Sequence, residues 1–344
     1  MNFKSSQNAL TSASAAPSLK RRALALSLTL AMAGATLPLA AQAAQTSKWP
    51  DKPVRLVVGF APGGGTDIMA RAVAHTLSQS TGQTFVVENK PGASGNLSVS
   101  EVVRATPDGY TFLIAPTSVE SVNPFLFKSD IDPAKDLTPV MGVGRMQMYV
   151  VARPNIEVST LPELIEMAKK SPGKMTYSSS GTGTPPHLAG ELFNQSVETS
   201  IVHVPYRGSA PALQDVMSSQ VDFVFDPGIA LPHIKGGKVK LLAVASDRKS
   251  PFFPEAPTYS DLGIKNASMD IWFGMWAPKN VPADIMKRVT EEMTKALATA
   301  DVKERFNALA AEPAPLATQE FQALLKDERE TLAAVIKKRN IVVE

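Results

Sequence analysis

Residues Val54–Asp67 read VRLVVGFAPGGGTD, and their reading decides the fold. Val54, Leu56, Val57, Val58 and Phe60 make the opening apolar and β-branched, which predicts a short buried strand. Gly63, Gly64 and Gly65 follow, then Thr66 and Asp67, then the apolar-periodic run IMARAVAHTL. The order strand, glycine turn, helix makes Thr66 the expected N-cap and sets Asp67 in the electropositive first turn. Free backbone N–H groups at such a helix start hold anions, and glycine lets a ligand approach the backbone closely. A tight strand–helix connection with no ligand is the alternative reading of the same residues.

Working outward, Thr84–Glu88 is expected as a second strand. Ser94–Arg104 is expected as a helix with Leu97, Val99, Val102 and Val103 inward, and Tyr110–Ala115 as a third strand running into Pro116-Thr117-Ser118. Alternation of strands and helices predicts an α/β protein with a parallel sheet. Ligands of such sheets bind outside the carboxyl ends of the strands, where Gly63–Asp67 and Thr117-Ser118 both fall. Leu137–Arg153 reads as strand material leaving the first domain, and Met269–Ala277 as an aromatic strand returning to it.

Between them the opening logic recurs. Met175–Ser179 is a strand, Ser180-Gly181-Thr182-Gly183-Thr184 a polar turn, and Pro185-Pro186-His187 leads the helical run LAGELF with Thr184 as expected N-cap. Two such turns in separate domains would face one another and hold a ligand with two carboxylates; connection alone is the competing reading. Asp226, at the end of the strand Val221–Phe225, either points into the cleft or shapes the Pro227-Gly228 turn. Pro282–Thr299 and Thr318–Arg339 are long amphipathic helices, separated by the proline-rich AEPAPLA.

Residues 1–43 have the three parts of a secretory signal peptide: basic Lys20-Arg21-Arg22, apolar Ala23–Ala40, and small-x-small Ala41-Gln42-Ala43. A membrane anchor is disfavoured by that cleavage pattern and the polar residues after it. The segment holds Lys4, Lys20, Arg21 and Arg22 and no acid, so 31 basic residues stand against 32 acidic ones in the remainder. The basic balance of the whole chain, +3, belongs to the signal, which leaves no electrostatic footprint for nucleic acid. With no cysteine, disulfides, thiolate chemistry and Cys-bound zinc are excluded. His75, His187, His203 and His233 are not at metal-ligand spacing, no nucleophile–base set emerges, and neither metal nor cofactor is expected. A secreted enzyme acting on a small acid through Asp67, Asp226 or His187 is the competing function.

The segments WPDKPVRLVVGFAPGGGTDIMAR, ENKPGASGN, ATPDGYT, VNPFLF, YSSSGTGTPPHLAGELF, VPYRGSAPAL and FFPEAPTYSDLG run in order along nearly the whole exported chain. Together they resemble the Bug receptors, the periplasmic solute-binding proteins of tripartite tricarboxylate transporters. The resemblance implies a type II periplasmic-binding-protein fold, two doubly wound α/β domains closing on a ligand cleft. It places residues 44–147 with 267–344 in one domain and 148–266 in the other. It implies a monomeric periplasmic receptor that takes a small carboxylate to a two-component membrane permease, or partners a membrane sensor. The ligand contacts it implies are Phe60, Ala61, Gly64, Gly65, Thr66 and Asp67 of the first turn, then Thr117 and Ser118. From the second domain come Ser179, Ser180, Thr182, Gly183, Thr184, His187 and Asp226, with Glu120 and Arg207 undecided. Aliphatic di- and tricarboxylates and aromatic di-acids such as terephthalate all remain open, and Phe60, Tyr206 and Phe225 are candidates to flank a ring.

Overall fold

The computed structural model describes residues 49–343, so the expected signal peptide lies outside the described residues. Among the described residues, eleven strands form two sheets. The first contains β1 (Val54–Val58), β2 (Phe85–Asn89), β3 (Thr111–Pro116), β4 (Leu137–Met146), β10 (Ile271–Pro278) and β11 (Ala311–Leu316), in the spatial order β11-β4-β10-β3-β1-β2. The second contains β5 (Tyr149–Ala152), β6 (Thr176–Ser179), β7 (Val202–Pro205), β8 (Phe223–Asp226) and β9 (Lys240–Val244), in the order β7-β6-β8-β5-β9.

The sheets are mixed, which corrects the expectation of parallel ones. β1 runs parallel to β2 and β3, but β10 is antiparallel to both β3 and β4. The chain crosses outward from β4 to β5 through Gln147 and Met148 alone, and β10 carries it back into the middle of the first sheet. A returning strand inserted beside its own departure must run the other way.

Helix α1 (Gly65–Thr81) buries Met69, Ala70, Val73, Ala74 and Leu77, a 3–4 residue spacing that lays one stripe on the sheet. It stops at Gly82, whose left-handed φ of 72° returns its N–H to the Ser78 carbonyl. On the same face, the stripe meets Leu56, Phe112 and Met275 of the sheet and Val289, Met293 and Phe306 of two later helices. The opposite face is covered by α2 (Asn96–Val103) and the C-terminal helix, through Val99, Val102, Phe321 and Leu325 against Val57, Leu113 and Trp276. In the second sheet, Val150 and Ala152 face one core while Tyr149 and Val151 face the other, the two-residue period of a sheet covered on both sides.

One expectation fails locally. Leu97 is 55% exposed, because α2 begins only at Asn96 after a turn in which Ser94 takes φ 54°. AEPAPLA is strand for most of its length; Pro313 and Pro315 are accommodated because β11 is the sheet's edge and needs no second row of N–H donors.

Candidate functional site

The carboxyl ends of β1, β3 and β6 open onto a cleft of about 460 Å³ between the sheets. Phe60, Gly65, Thr66, Ser94, Ser118 and Asn123 line it from the first sheet's loops, and Thr182, Gly183, Thr184, Ser209 and Pro227 from the second's. Met146, Ile271 and Phe273 of the crossing strands line it as well, with Leu126, Phe127 and Val343. No lining side chain among the described residues is charged.

The first loop is held from behind. Helix α1 takes Gly64, in extended conformation, as its N-cap, so Thr66 sits one turn position inside and is not the cap. The Asp67 carboxylate accepts from the Gly63 N–H at 2.9 Å, from Asn89 Nδ2 at 2.8 Å and from Arg71 Nε at 2.9 Å. Asn89 Nδ2 also donates to the Phe60 carbonyl, so one side chain ties both ends of the loop. Burial pushes the Asp67 carboxyl up, but the bonds from Arg71, Gly63 and Asn89 outweigh it and hold the group below its ordinary range. Its charge is spent on the loop.

The second loop is built differently. The Thr184 hydroxyl donates to the Gly181 carbonyl at 2.6 Å and makes no cap bond to the helix that follows, α3 (Pro185–Ser196). Pro185 and Pro186 occupy the first two helical positions and bring no N–H, so this helix start is a poorer anion site than its sequence twin. The second lobe has another. Gly208, at φ 132°, precedes α4 (Ser209–Met217), and Ser209 reaches the cleft from the carboxyl end of β7. Its signal in the sequence is glycine then serine after a strand, which reads as an ordinary cap.

A family model described as "Tripartite tricarboxylate transporter family receptor" matches residues 69–341. BugT of Bordetella pertussis is 32% identical over 316 residues, covering 90% of this chain and 94% of that one. The chain belongs to the tripartite tricarboxylate transporter receptor family. An R. palustris protein solved with adipate is 31% identical at a TM-score of 0.72, covering 86% of this chain and all (100%) of that one. MatC from Rhodopseudomonas palustris, solved with malate, is 29% identical at a TM-score of 0.68, covering 84% and 100%. The fold of this receptor is therefore the expected periplasmic-binding-protein arrangement of two α/β layers, and no described helix is long and apolar enough to cross a membrane.

Within the receptor, the residues the sequence pointed to divide into two groups. Phe60, Gly65, Thr66, Ser118, Thr182, Gly183 and Thr184 line the cleft. Gly64 caps α1, Ala61 is exposed on the outside of the first loop, and Ser180 is half-buried in the second without lining the cleft. Asp67, Ser179 and His187 stand behind the loops as supports. Thr117 is buried behind Ser118, with its N–H on the Trp272 carbonyl. Asp226 accepts from the Gly228 and Ala230 N–H groups at 2.7 and 2.8 Å, so it shapes its turn, and burial pushes its carboxyl up to about 6. Glu120 is turned inward onto Trp276 Nε1 at 2.8 Å, and Arg207 is exposed away from the cleft lining. Of the three ring-flanking candidates only Phe60 reaches the cleft; Tyr206 bonds to Asp215, and Phe225 is core.

Gly183 has φ 77°, and a Cβ there would lie 2.5 Å from Leu126 Cδ1 across the cleft. Gly183→Ala is expected to weaken ligand binding at least about tenfold while lowering ligand-free stability by about 1–2 kcal/mol, the cost of a left-handed side chain with Leu126 turned aside. Calorimetric titration alongside thermal melts separates the two effects.

Proposed function

We propose that this receptor captures a small acid with two carboxylates separated by an apolar middle, closes on it, and delivers it to a membrane permease. The observation that carries the reading is the cleft lining: hydroxyls and helix starts from both sheets, an apolar wall between them, and no charged side chain. At the first loop, the free N–H groups of the α1 start and the Thr66 and Ser118 hydroxyls suit one carboxylate. Thr182, Ser209 and the α4 start suit the other, with ordered waters filling gaps in so uncharged a site. Phe60, Phe127, Phe273 and Met146 would leave the hydroxyl groups of a sugar acid or citrate without partners, whereas methylenes or an aromatic ring match them.

The two sheets act as the two domains, 44–147 with 267–344 and 148–266, and the crossings after Met146 and before Ile271 as the hinge. A ligand that touches both sheets favours the closed form because only closure offers it both sets of contacts. The chain works as a monomer exported to the periplasm, and binding without turnover is its whole activity.

Thermal melts of the exported protein against a panel of acids test this. A saturating ligand at about 100 times its Kd contributes about 2.7 kcal/mol, a rise in Tm of about 5 °C at this chain length. Adipate or terephthalate is expected to raise the Tm while monocarboxylates of equal size do not. Stabilisation by citrate alone would contradict the apolar middle.

A further inference from the structure

The second ligand loop rests on two imidazoles that the ligand reading leaves unused. The Gly183 N–H donates to His187 Nδ1 at 3.0 Å, and the Ser179 hydroxyl lies 2.6 Å from His203 Nε2. The two rings are stacked, with centroids 3.8 Å apart and planes 12° from parallel. Ser179 opens the loop and Gly183 closes it, so each imidazole supports one end from beneath. His203 comes from β7.

An imidazole nitrogen accepts a hydrogen bond only while it carries no proton. A proton on His187 Nδ1 would set two donors against each other at Gly183, and two stacked imidazolium rings would repel. The surroundings oppose that proton. Burial pushes His187 down to about 4, and burial together with the His187 charge pushes His203 down to about 3. The facing groups are few. Glu191 Oε1 lies 3.8 Å from His187 Nε2, but Glu191 is engaged by Arg339 Nε at 2.9 Å and by the Tyr177 hydroxyl at 2.9 Å. Tyr177 also donates to the His187 carbonyl and lies beside the His203 ring.

We propose that His187 and His203 are positioning residues for the second ligand loop, working as a neutral stacked pair whose protonation in acid lets the loop go and weakens ligand binding. The inference rests on the reading that this loop grips the ligand. The sign follows from linkage. A loosened loop returns His187 toward its ordinary 6.5, so acid favours the loosened form. The preference for the held loop is complete above about pH 6.5 and fades as pH falls toward the low value of the held state, by about tenfold in the balance of held to loosened loop at pH 5.5 for one such proton.

The exported full-length protein and three variants test this. Asn offers an oxygen where Nδ1 stands and does not titrate, so His187→Asn is expected to keep the Gly183 bond and His187→Ala to lose it. His203→Phe keeps the stacked face and removes the Ser179 contact. The Gly183 protection factor of ligand-free wild type is expected to fall about tenfold between pH 7.5 and 5.5, and that of His187→Asn less than threefold; the wild-type Kd for adipate, the binding probe, rises once the loosened loop predominates. His187→Ala is expected to bind at least about tenfold more weakly at pH 7.5, and His203→Phe severalfold. Hydrogen exchange at the Gly183 amide, read by NMR without ligand, is expected to be slow in wild type and His187→Asn and fast in His187→Ala. A His187→Asn pH profile matching wild type, or equal Gly183 exchange in the Ala variant, would overturn the proposal. If no acid binds at pH 7.5, the receptor reading fails, and the ligand-free exchange result decides this one by itself.

Discussion

Arg145→Met is expected to lower the unfolding free energy by about 3–5 kcal/mol, the cost of leaving buried carboxylates without their cation. Arg145 is the last residue but one of β4, its side chain 5% exposed, donating from Nε to Glu312 at 2.8 Å and from Nη1 to Asp270 at 3.3 Å. Its guanidinium also lies over the Trp272 ring at 5.6 Å. Asp270 precedes the returning strand and Glu312 lies on β11, so this one side chain ties the outgoing crossing, the incoming crossing and the sheet edge together. Glu312 keeps access to water and adapts. Asp270 does not: its Oδ1 is buried without a partner, and burial pushes its carboxyl up to about 6 even with Arg145 present.

The pH dependence of this variant carries a sign that a simple packing defect lacks. An acid whose folded pKa lies above its unfolded value favours the fold fully below the unfolded value, and that contribution is lost as pH rises through the folded one. Without Arg145 the Asp270 pKa rises further, so the stability deficit is expected to be smaller at pH 5 than at pH 8. Asp270→Asn added to Arg145→Met is expected to recover part of it. Urea unfolding at both pH values checks all three statements, with equal deficits counting against the ionic account.

Asp67→Ala carries the second large effect, expected at about 2–4 kcal/mol in stability together with a loss of ligand affinity of at least about thirtyfold. The size comes from the buried bonds. Arg71 is half exposed, so its ion pair with Asp67 is screened and worth little. The Gly63 N–H and Asn89 Nδ2 both donate to a carboxylate that is itself 3% exposed; removal takes the acceptor from the Gly63 N–H and from one of the two Asn89 amide hydrogens, and leaves the loop tied only by the bond from Asn89 to the Phe60 carbonyl. Without the lost bonds the positive φ of 81° at Gly63 is no longer enforced, and the N–H groups of the α1 start lose their aim. Arg71→Ala is the control, expected to change neither quantity by more than a few tenths of a kcal/mol. Since the folded Asp67 pKa is depressed, its contribution is fully present above the unfolded value near 4 and is lost only as pH falls below that. Calorimetry and thermal melts at pH 7 therefore read the full effect.

The opening βα unit was legible because strand, glycine turn and helix each leave a local pattern, and Val54–Asp67 carries all three in fourteen consecutive residues. Strand direction leaves none, so the antiparallel β10 in the middle of the first sheet could not be read from MDIWFGMWA. Proline hid β11, since only an edge position excuses it. At the cleft, residue type was visible and side-chain direction was not. Asp67, His187 and Asp226 are polar residues beside binding loops, yet each turns back to hold backbone N–H groups. Leu126, Phe127 and Val343 come from parts of the chain far from either loop, and only the tertiary fold brings them to the same wall.

The central claim is that one ligand is gripped from both sheets. Calorimetric titration with adipate and with its mono-methyl ester tests it most directly, because the pair differs by a single carboxylate on the same apolar middle. Loss of one set of charge-assisted bonds predicts at least about hundredfold weaker binding of the ester. Equal affinity for the two would show that only one sheet holds the ligand and would contradict the account.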